Sequence, residues 1–178
     1  TRRSSDLYSK KEPLMKQLTL KEYVSKAFSK KGVPSLLIRE KLPHVNAEIS
    51  NLLAGIVDFT IDLEADGDTN SLEIYINYGD SRRVIELSSG MERTIASIAI
   101  RTVLHGISVL PKPDFMVIDE GFGTLDPAGV EACIRLLRSI ATRFRFLIVV
   151  SHVEQMKDAV DSCIEISKNE KDSYVSYT

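Results

Sequence analysis

Phe115-Met116-Val117-Ile118-Asp119-Glu120 decides how the rest of the chain is read. Its first four residues form an unbroken apolar run, which suits a strand covered on both faces. A second such run, Phe146-Leu147-Ile148-Val149-Val150, lies downstream. An amphipathic helix over about 128–141 joins them, so the two strands are predicted to be parallel, with that helix as a right-handed crossover. In an open α/β sheet ligands bind beyond the carboxyl ends of the strands, and there two adjacent carboxylates emerge. Mg²⁺ takes oxygen ligands and often uses one or two carboxylates together with phosphates, a role that suits Asp119. Glu120, one residue on and pointing elsewhere, suits orienting a water for attack on phosphorus. The pair by itself has a plainer reading too, as two acids that end a strand where the chain meets water.

Three neighbouring features bear on that choice. Gly121-Phe122-Gly123-Thr124-Leu125-Asp126-Pro127 is a tight loop into a helix that Pro127 can start, with Asp126 placed as its N-cap. Upstream, Glu86-Leu87-Ser88-Ser89-Gly90-Met91-Glu92-Arg93 opens a helix near 90–105. Ser89 and Glu92 have capping-box spacing there. The same N-terminus, with free N–H groups and a positive dipole end, is also a phosphate site. Finally, Ser151-His152 ends the second apolar run, where a lone histidine is either structural or catalytic.

Composition narrows the class. The 178 residues suffice for one domain with a core, and Lys plus Arg at 23 nearly balance Asp plus Glu at 25. That balance excludes a wholly basic nucleic-acid coat and an acidic disordered tail. The charge is uneven: residues 1–31 hold nine basic and three acidic side chains, a net +6, so the remainder carries −8 of the total −2. Two cysteines, Cys133 and Cys163, in no zinc-like spacing, predict neither a disulfide framework nor a structural zinc, and fit an intracellular setting. No apolar run is long enough to span a membrane, and no secretion signal opens the chain. The first residue is Thr, so the chain is read as a piece of something longer.

The remaining elements are a basic helix over 14–31 after Pro13, stopped by Gly32-Val33-Pro34, and a second from Ser35 to Gly55. Strands follow at 56–63, 72–78 and 83–87 as an antiparallel meander, with Asp66-Gly67-Asp68 as a turn. The helix near 90–105 should bury Ile95, Ile98, Ala99, Thr102 and Val103. A helix near 153–160 and strands at about 161–167 and 172–177 close the chain. His105 beside Gly106 reads as a helix C-terminal residue, and His44 is assigned no role.

The stretch Phe115 to Asp126 resembles the Walker B and D-loop of ABC-type ATPases, and its Gly-Phe-Gly interior resembles the DNA-repair branch typified by SbcC, also called Rad-fifty. Leu87 to Met91 resembles the ABC signature, with Ser89 where the family usually has Gly and Met91 where it has Gln or Glu. His152 resembles the switch histidine. No glycine is followed by Lys, so the phosphate loop Gly-x-x-x-x-Gly-Lys-Ser/Thr is missing. In that family the head is split, and signature, Walker B, D-loop and switch histidine belong together on the carboxy-terminal lobe. The resemblance thus implies an α/β, P-loop NTPase-like half-head over 32–178 with a coiled-coil base over 1–31. It implies ATP and Mg²⁺ as cofactors, with Asp119 toward the metal, Glu120 and His152 as catalytic groups, Ser88, Ser89 and Gly90 on nucleotide held by the opposite head, and Asp126 at the interface. The implied partners are the amino-terminal lobe, a second head on ATP, a nuclease of the SbcD/Mre-eleven type, and DNA, with no membrane. Two other readings stand beside it: a chromosome-structure (SMC-type) ATPase head, and a scaffold domain whose nucleotide site has decayed.

Overall fold

A computed structural model describes residues 2–29, 31–66, 71–119, 121–123, 125–169 and 172–177, with side chains from residue 11 onward. The chain divides into two compact units, Thr1–His44 with Leu63–Glu73, and Val45–Asp62 with Ile74–Thr178.

In the first unit, α1 spans Arg2–Ala27 and α2 begins at Val33, continuing to Leu53. Helix α1 begins ahead of Pro13, which the sequence placed as its start and which lies inside it. A proline there removes one backbone hydrogen bond, a cost that the long polar helix absorbs. Leu14, Leu18, Leu20, Val24 and Phe28 are all exposed along the α1 segment. Gly32 makes the α1–α2 link possible, since a Cβ there would run into the Ala27 carbonyl oxygen. Arg39 Nη2 donates to the Asp66 carbonyl at 3.0 Å.

Strands β1 (Thr60–Ala65), β2 (Leu72–Tyr78) and β3 (Ser81–Val84) form one sheet in that order. β2 and β3 are antiparallel, as the alternating pattern predicts, with Ile76 opposite Arg83 and Tyr78 opposite Ser81. Ile61, Leu63 and Ile76 point to the buried face. The third strand is shorter than expected, because Ile85–Leu87 tightens into a 3-10 turn leading to the next helix. The turn at 67–68 lies outside the described residues.

The core of the second unit is built from α3 (Gly90–Ile107) and α4 (Pro127–Ala141). Ile95, Ile98, Ala99, Thr102 and Val103 are buried on α3, as their helical spacing requires, and Ala96 joins them. Val130, Ala132, Cys133, Leu136, Leu137 and Ile140 are the buried face of α4. Each large aliphatic side chain so buried contributes roughly 1.5–3 kcal/mol. Strands β4 (Phe115–Asp119) and β5 (Phe146–Val150) pair in parallel, joined by α4 as the crossover. The predicted closing helix is instead a 3-10 segment over Glu154–Ala159, and β6 (Ile164–Lys168) and β7 (Ser173–Tyr177) form an antiparallel hairpin.

One expectation about the β4–β5 pair changes. Its apolar runs predict cover on both faces, whereas only one face is covered. Ile118 is buried, while Phe115, Val117, Phe146, Ile148 and Val150 are 44–57% exposed. They alternate with the inward residues, so a continuous apolar face of β4 and β5 meets solvent. Ile118→Ala should therefore cost about 2–5 kcal/mol of unfolding free energy. Val117→Ala should cost less than about 1 kcal/mol, because the side chain gives up little buried area. Urea unfolding of both variants checks the contrast, and equal losses would mean that both faces are packed.

Candidate nucleotide-binding edge

Parallel pairing sets the geometry of the site. β4 and β5 run in step from Phe115 opposite Phe146 to Asp119 opposite Val150. Their carboxyl ends therefore bring the Asp119 carboxylate and the Ser151-His152 pair to one sheet edge. Asp119 and His152 are both exposed there. Ser151 Oγ accepts from the Val153 amide at 3.0 Å, which turns the chain just past the histidine. Glu120 lies outside the described residues, as does Thr124.

The loop that follows is anchored at three points. Gly121 has φ +117°, a conformation that side chains rarely adopt, and its carbonyl accepts from Thr94 Oγ1 at 3.1 Å. Phe122 is 1% exposed, so the ring between two glycines is a core residue and not a surface one. Asp126 caps α4, its Oδ1 accepting from the Gly129 amide at 2.9 Å, with Pro127 in the first turn. The capping role read from the sequence is thus present, and Asp126 remains exposed for anything further.

At the start of α3 the two serines differ. Ser88 is buried, with Oγ 3.5 Å from the Val84 carbonyl, whereas Ser89 is exposed and is the N-cap. Ser89 Oγ accepts from the Glu92 amide at 3.2 Å, and the Glu92 carboxylate accepts from the Ser89 amide at 2.5 Å, a complete capping box. Gly90 is the first residue of α3. Glu92 does more than cap. It is 2% exposed, takes Arg83 Nη2 at 3.1 Å, and is hydrogen-bonded by Tyr78. Burial alone would raise its carboxyl, but the bonds from Tyr78 and Ser89 and the Arg83 charge outweigh that and hold it below its ordinary range. Burial first, and the bond to Glu92 second, push the Tyr78 phenol up to about 12. The guanidinium of Arg83 also lies 5.3 Å from the Tyr78 ring centroid.

These donors suit the implied cofactors. Among the described residues no group of three His, Cys, Asp or Glu side chains could hold a metal alone. One exposed carboxylate at a strand end is the donor set of an ion that takes most of its ligands from phosphate and water. At the α3 N-terminus the Ser89 and Glu92 amides are taken by the capping box, and the helix-dipole end is still a place that favours an anion. The sequence reading missed Phe122, Thr94, Tyr78 and Arg83. Only Phe122 carried a signal, as a large apolar side chain inside a glycine-rich loop.

The Glu92 network fixes a pH dependence. A carboxyl depressed in the folded state contributes stability that is complete above its ordinary value of 4.5 and is lost as pH falls through the folded value. Tyr78, raised from 10.0, contributes below pH 10 and loses that contribution as pH climbs toward 12. Glu92→Gln should flatten the acid limb of stability against pH. Tyr78→Phe should remove a phenol that titrates near 12 from an absorbance titration. An unchanged high-pH limb in that variant would take Tyr78 out of the network.

No protein-family model matches the chain. It is 29% identical over 171 residues to the SbcC component of the SbcCD nuclease of Deinococcus radiodurans, covering 94% of this chain and 18% of that protein. It is 30% identical over 102 residues to the DNA double-strand break repair Rad50 ATPase of Saccharolobus solfataricus, covering 57% of this chain and 12% of that one. The chain therefore spans less than a fifth of the length of these relatives. Among solved structures, it is similar to the Smc head domain with an extended coiled coil, bound to the C-terminal domain of ScpA, from Pyrococcus furiosus. The TM-score is 0.66 at 22% identity, covering 99% of this chain and 44% of that one. The fold is thus that of the Smc head domain, and in sequence the chain is similar to SbcC and Rad50 proteins.

Proposed function

We propose that the chain is one half of an ATP-binding and ATP-hydrolysing head that dimerises on ATP and works with a nuclease in DNA end processing. The observation that carries this is the β4–β5 register, which sets Asp119 opposite Val150, two residues before His152. A carboxylate and an imidazole at one sheet edge, with a glycine-rich loop after the carboxylate, would suit the metal-holding and phosphate-facing groups of a phosphoryl-transfer site. The nuclease-coupled reading is preferred to the chromosome-structure one because the SbcC relative is named as part of a nuclease. Dependence on DNA, and an intracellular place of action, belong to the same reading. Among the described residues no helix is long and apolar enough to cross a membrane.

Asp119 would hold Mg²⁺ through its carboxylate, and Ser89 and Gly90 at the α3 N-terminus would receive phosphate of the nucleotide bound to the opposite head. Ser88 would support that loop from beneath, since its hydroxyl is turned into the protein. Bound Mg²⁺ would supply neutralisation of the negative charge on the phosphate oxygens. Glu120 would accept a hydrogen bond from the attacking water and draw off its proton, and His152 would donate to the terminal phosphate. Asp126, exposed at the head of α4, would face the second head. The β- and γ-phosphate donors would come from an amino-terminal lobe carrying the phosphate loop. The exposed apolar face of β4 and β5 is the surface that lobe would cover, and the basic α1 segment would serve as the coiled-coil base.

Glu120→Gln and Asp119→Asn separate the two carboxylate roles in a head assembled from this chain and an amino-terminal lobe. Glu120→Gln keeps size and hydrogen bonding but removes the base, so turnover should fall by about 10²–10⁴-fold while ATP-dependent dimers persist. Asp119→Asn should weaken Mg²⁺-dependent nucleotide binding, so few dimers form. Turnover and dimer fraction are read in the same preparation. Wild-type turnover by the Glu120 variant would make Glu120 a structural loop acid. Micromolar ATP binding by the 178-residue chain alone would overturn the split-head reading.

A further inference from the structure

One hydrogen bond joins the first turns of α3 to the loop after β4, and neither capping nor the core explains it. Thr94 Oγ1 donates to the Gly121 carbonyl at 3.1 Å. At the other end of the loop, a Cβ added to Gly129 would come 2.8 Å from Asp126 Oδ1 and 3.1 and 3.3 Å from Met91 Cγ and Sδ. Met91 therefore lies on the first turn of α4, beside the carboxylate that caps it. Thr94 and Met91 follow Ser89 by five and two residues, and Gly121 directly follows Glu120.

We propose that Thr94 is a positioning residue that holds the backbone next to Glu120 against the signature helix. Resting on the ATPase reading above, the assignment joins two groups of residues with different tasks. Ser89 and Gly90 serve a nucleotide on the opposite head, while Asp119 and Glu120 serve the head's own. The threonine bond makes the two move as one body. Gly121 is where such a restraint has most effect. At φ +117° a glycine is one of the freest points a chain can have, and an unheld glycine would let the preceding carboxylate wander. Phe122 fixes the next residue in the core, so the Thr94 bond closes the remaining gap between β4 and that anchor. The hydroxyl is the active part: the nearest threonine atoms to a Cβ built on Gly121 are 3.8 Å away, ordinary contact that any β-branched side chain would make.

Thr94→Val and Thr94→Ser test this with opposite expectations. Valine keeps the shape and loses the donor, whereas serine keeps the donor and loses the methyl. Hydrogen exchange of the 121–126 amides is measured on the chain by itself, and turnover and ATP-dependent dimer fraction on the head assembled with an amino-terminal lobe. In Thr94→Val the loop amides should exchange faster and turnover should drop about tenfold, at an unchanged dimer fraction. Thr94→Ser should match wild type in all three. Wild-type exchange in the valine variant, faster exchange without loss of turnover, or a serine variant as impaired as valine would each overturn the proposal. A wild-type head that never hydrolyses ATP would instead refute the ATPase reading, and the exchange measurement would still decide whether Thr94 holds the loop.

Discussion

A slip of one residue between β4 and β5 would undo nearly everything described above. The pairing runs in parallel from Phe115–Phe146 to Asp119–Val150, and side chains alternate faces along each strand. Shifting β4 by one would turn Ile118 out of the core and move Asp119 away from the turn that carries His152. The register is held from outside the strands. Phe122, buried just beyond β4, acts as a stop, and the Asp114 carbonyl, just before it, accepts from the Arg145 amide at 2.7 Å and the Phe146 amide at 3.2 Å. Clamped at both ends, the short strands have one alignment available.

Glu92 is the second constraint, and a costly one. A carboxylate at 2% exposure has lost its water, and such a charge is tolerable only when its oxygens are well satisfied. Here the Ser89 amide, Arg83 and Tyr78 do so from three elements: the loop, β3 and β2. Among the described residues no buried side-chain nitrogen or oxygen lacks a partner. The outcome is a loop ahead of α3 whose orientation is dictated by the hairpin beneath it. This accounts for an antiparallel sheet standing immediately ahead of the loop in the chain.

What could be read from the residues alone follows a physical line. Features set by neighbours in sequence were legible: the Ser89–Glu92 box, the Asp126 cap, the buried stripe of α3, and the two apolar strands with their crossover. Features set by residues far apart were not. Arg83 and Tyr78 look like ordinary strand positions until the fold brings Glu92 to them, and Thr94 is one more polar helix residue until Gly121 arrives. Pro13 misled because position-specific preference favours the first helical turn, yet a proline inside a long exposed helix costs only a local bond. The apolar runs of β4 and β5 were read as fully covered strands, and here one side is bare. An apolar run gives a strand's composition but not what packs on it, and here Phe115, Val117, Phe146, Ile148 and Val150 stay exposed.

The bare side has a consequence for how the chain behaves in the cell. Among the described residues β4 and β5 form a two-stranded sheet, so each strand also has an unpaired edge beside its exposed apolar face. Unpaired edges and exposed valine, isoleucine and phenylalanine are the ingredients of intermolecular strand pairing. A chain that exposes both meets that hazard at a rate set by its own concentration. The hazard falls when anything pairs with that edge or covers that face, so solubility depends on what the sheet meets as well as on its own sequence.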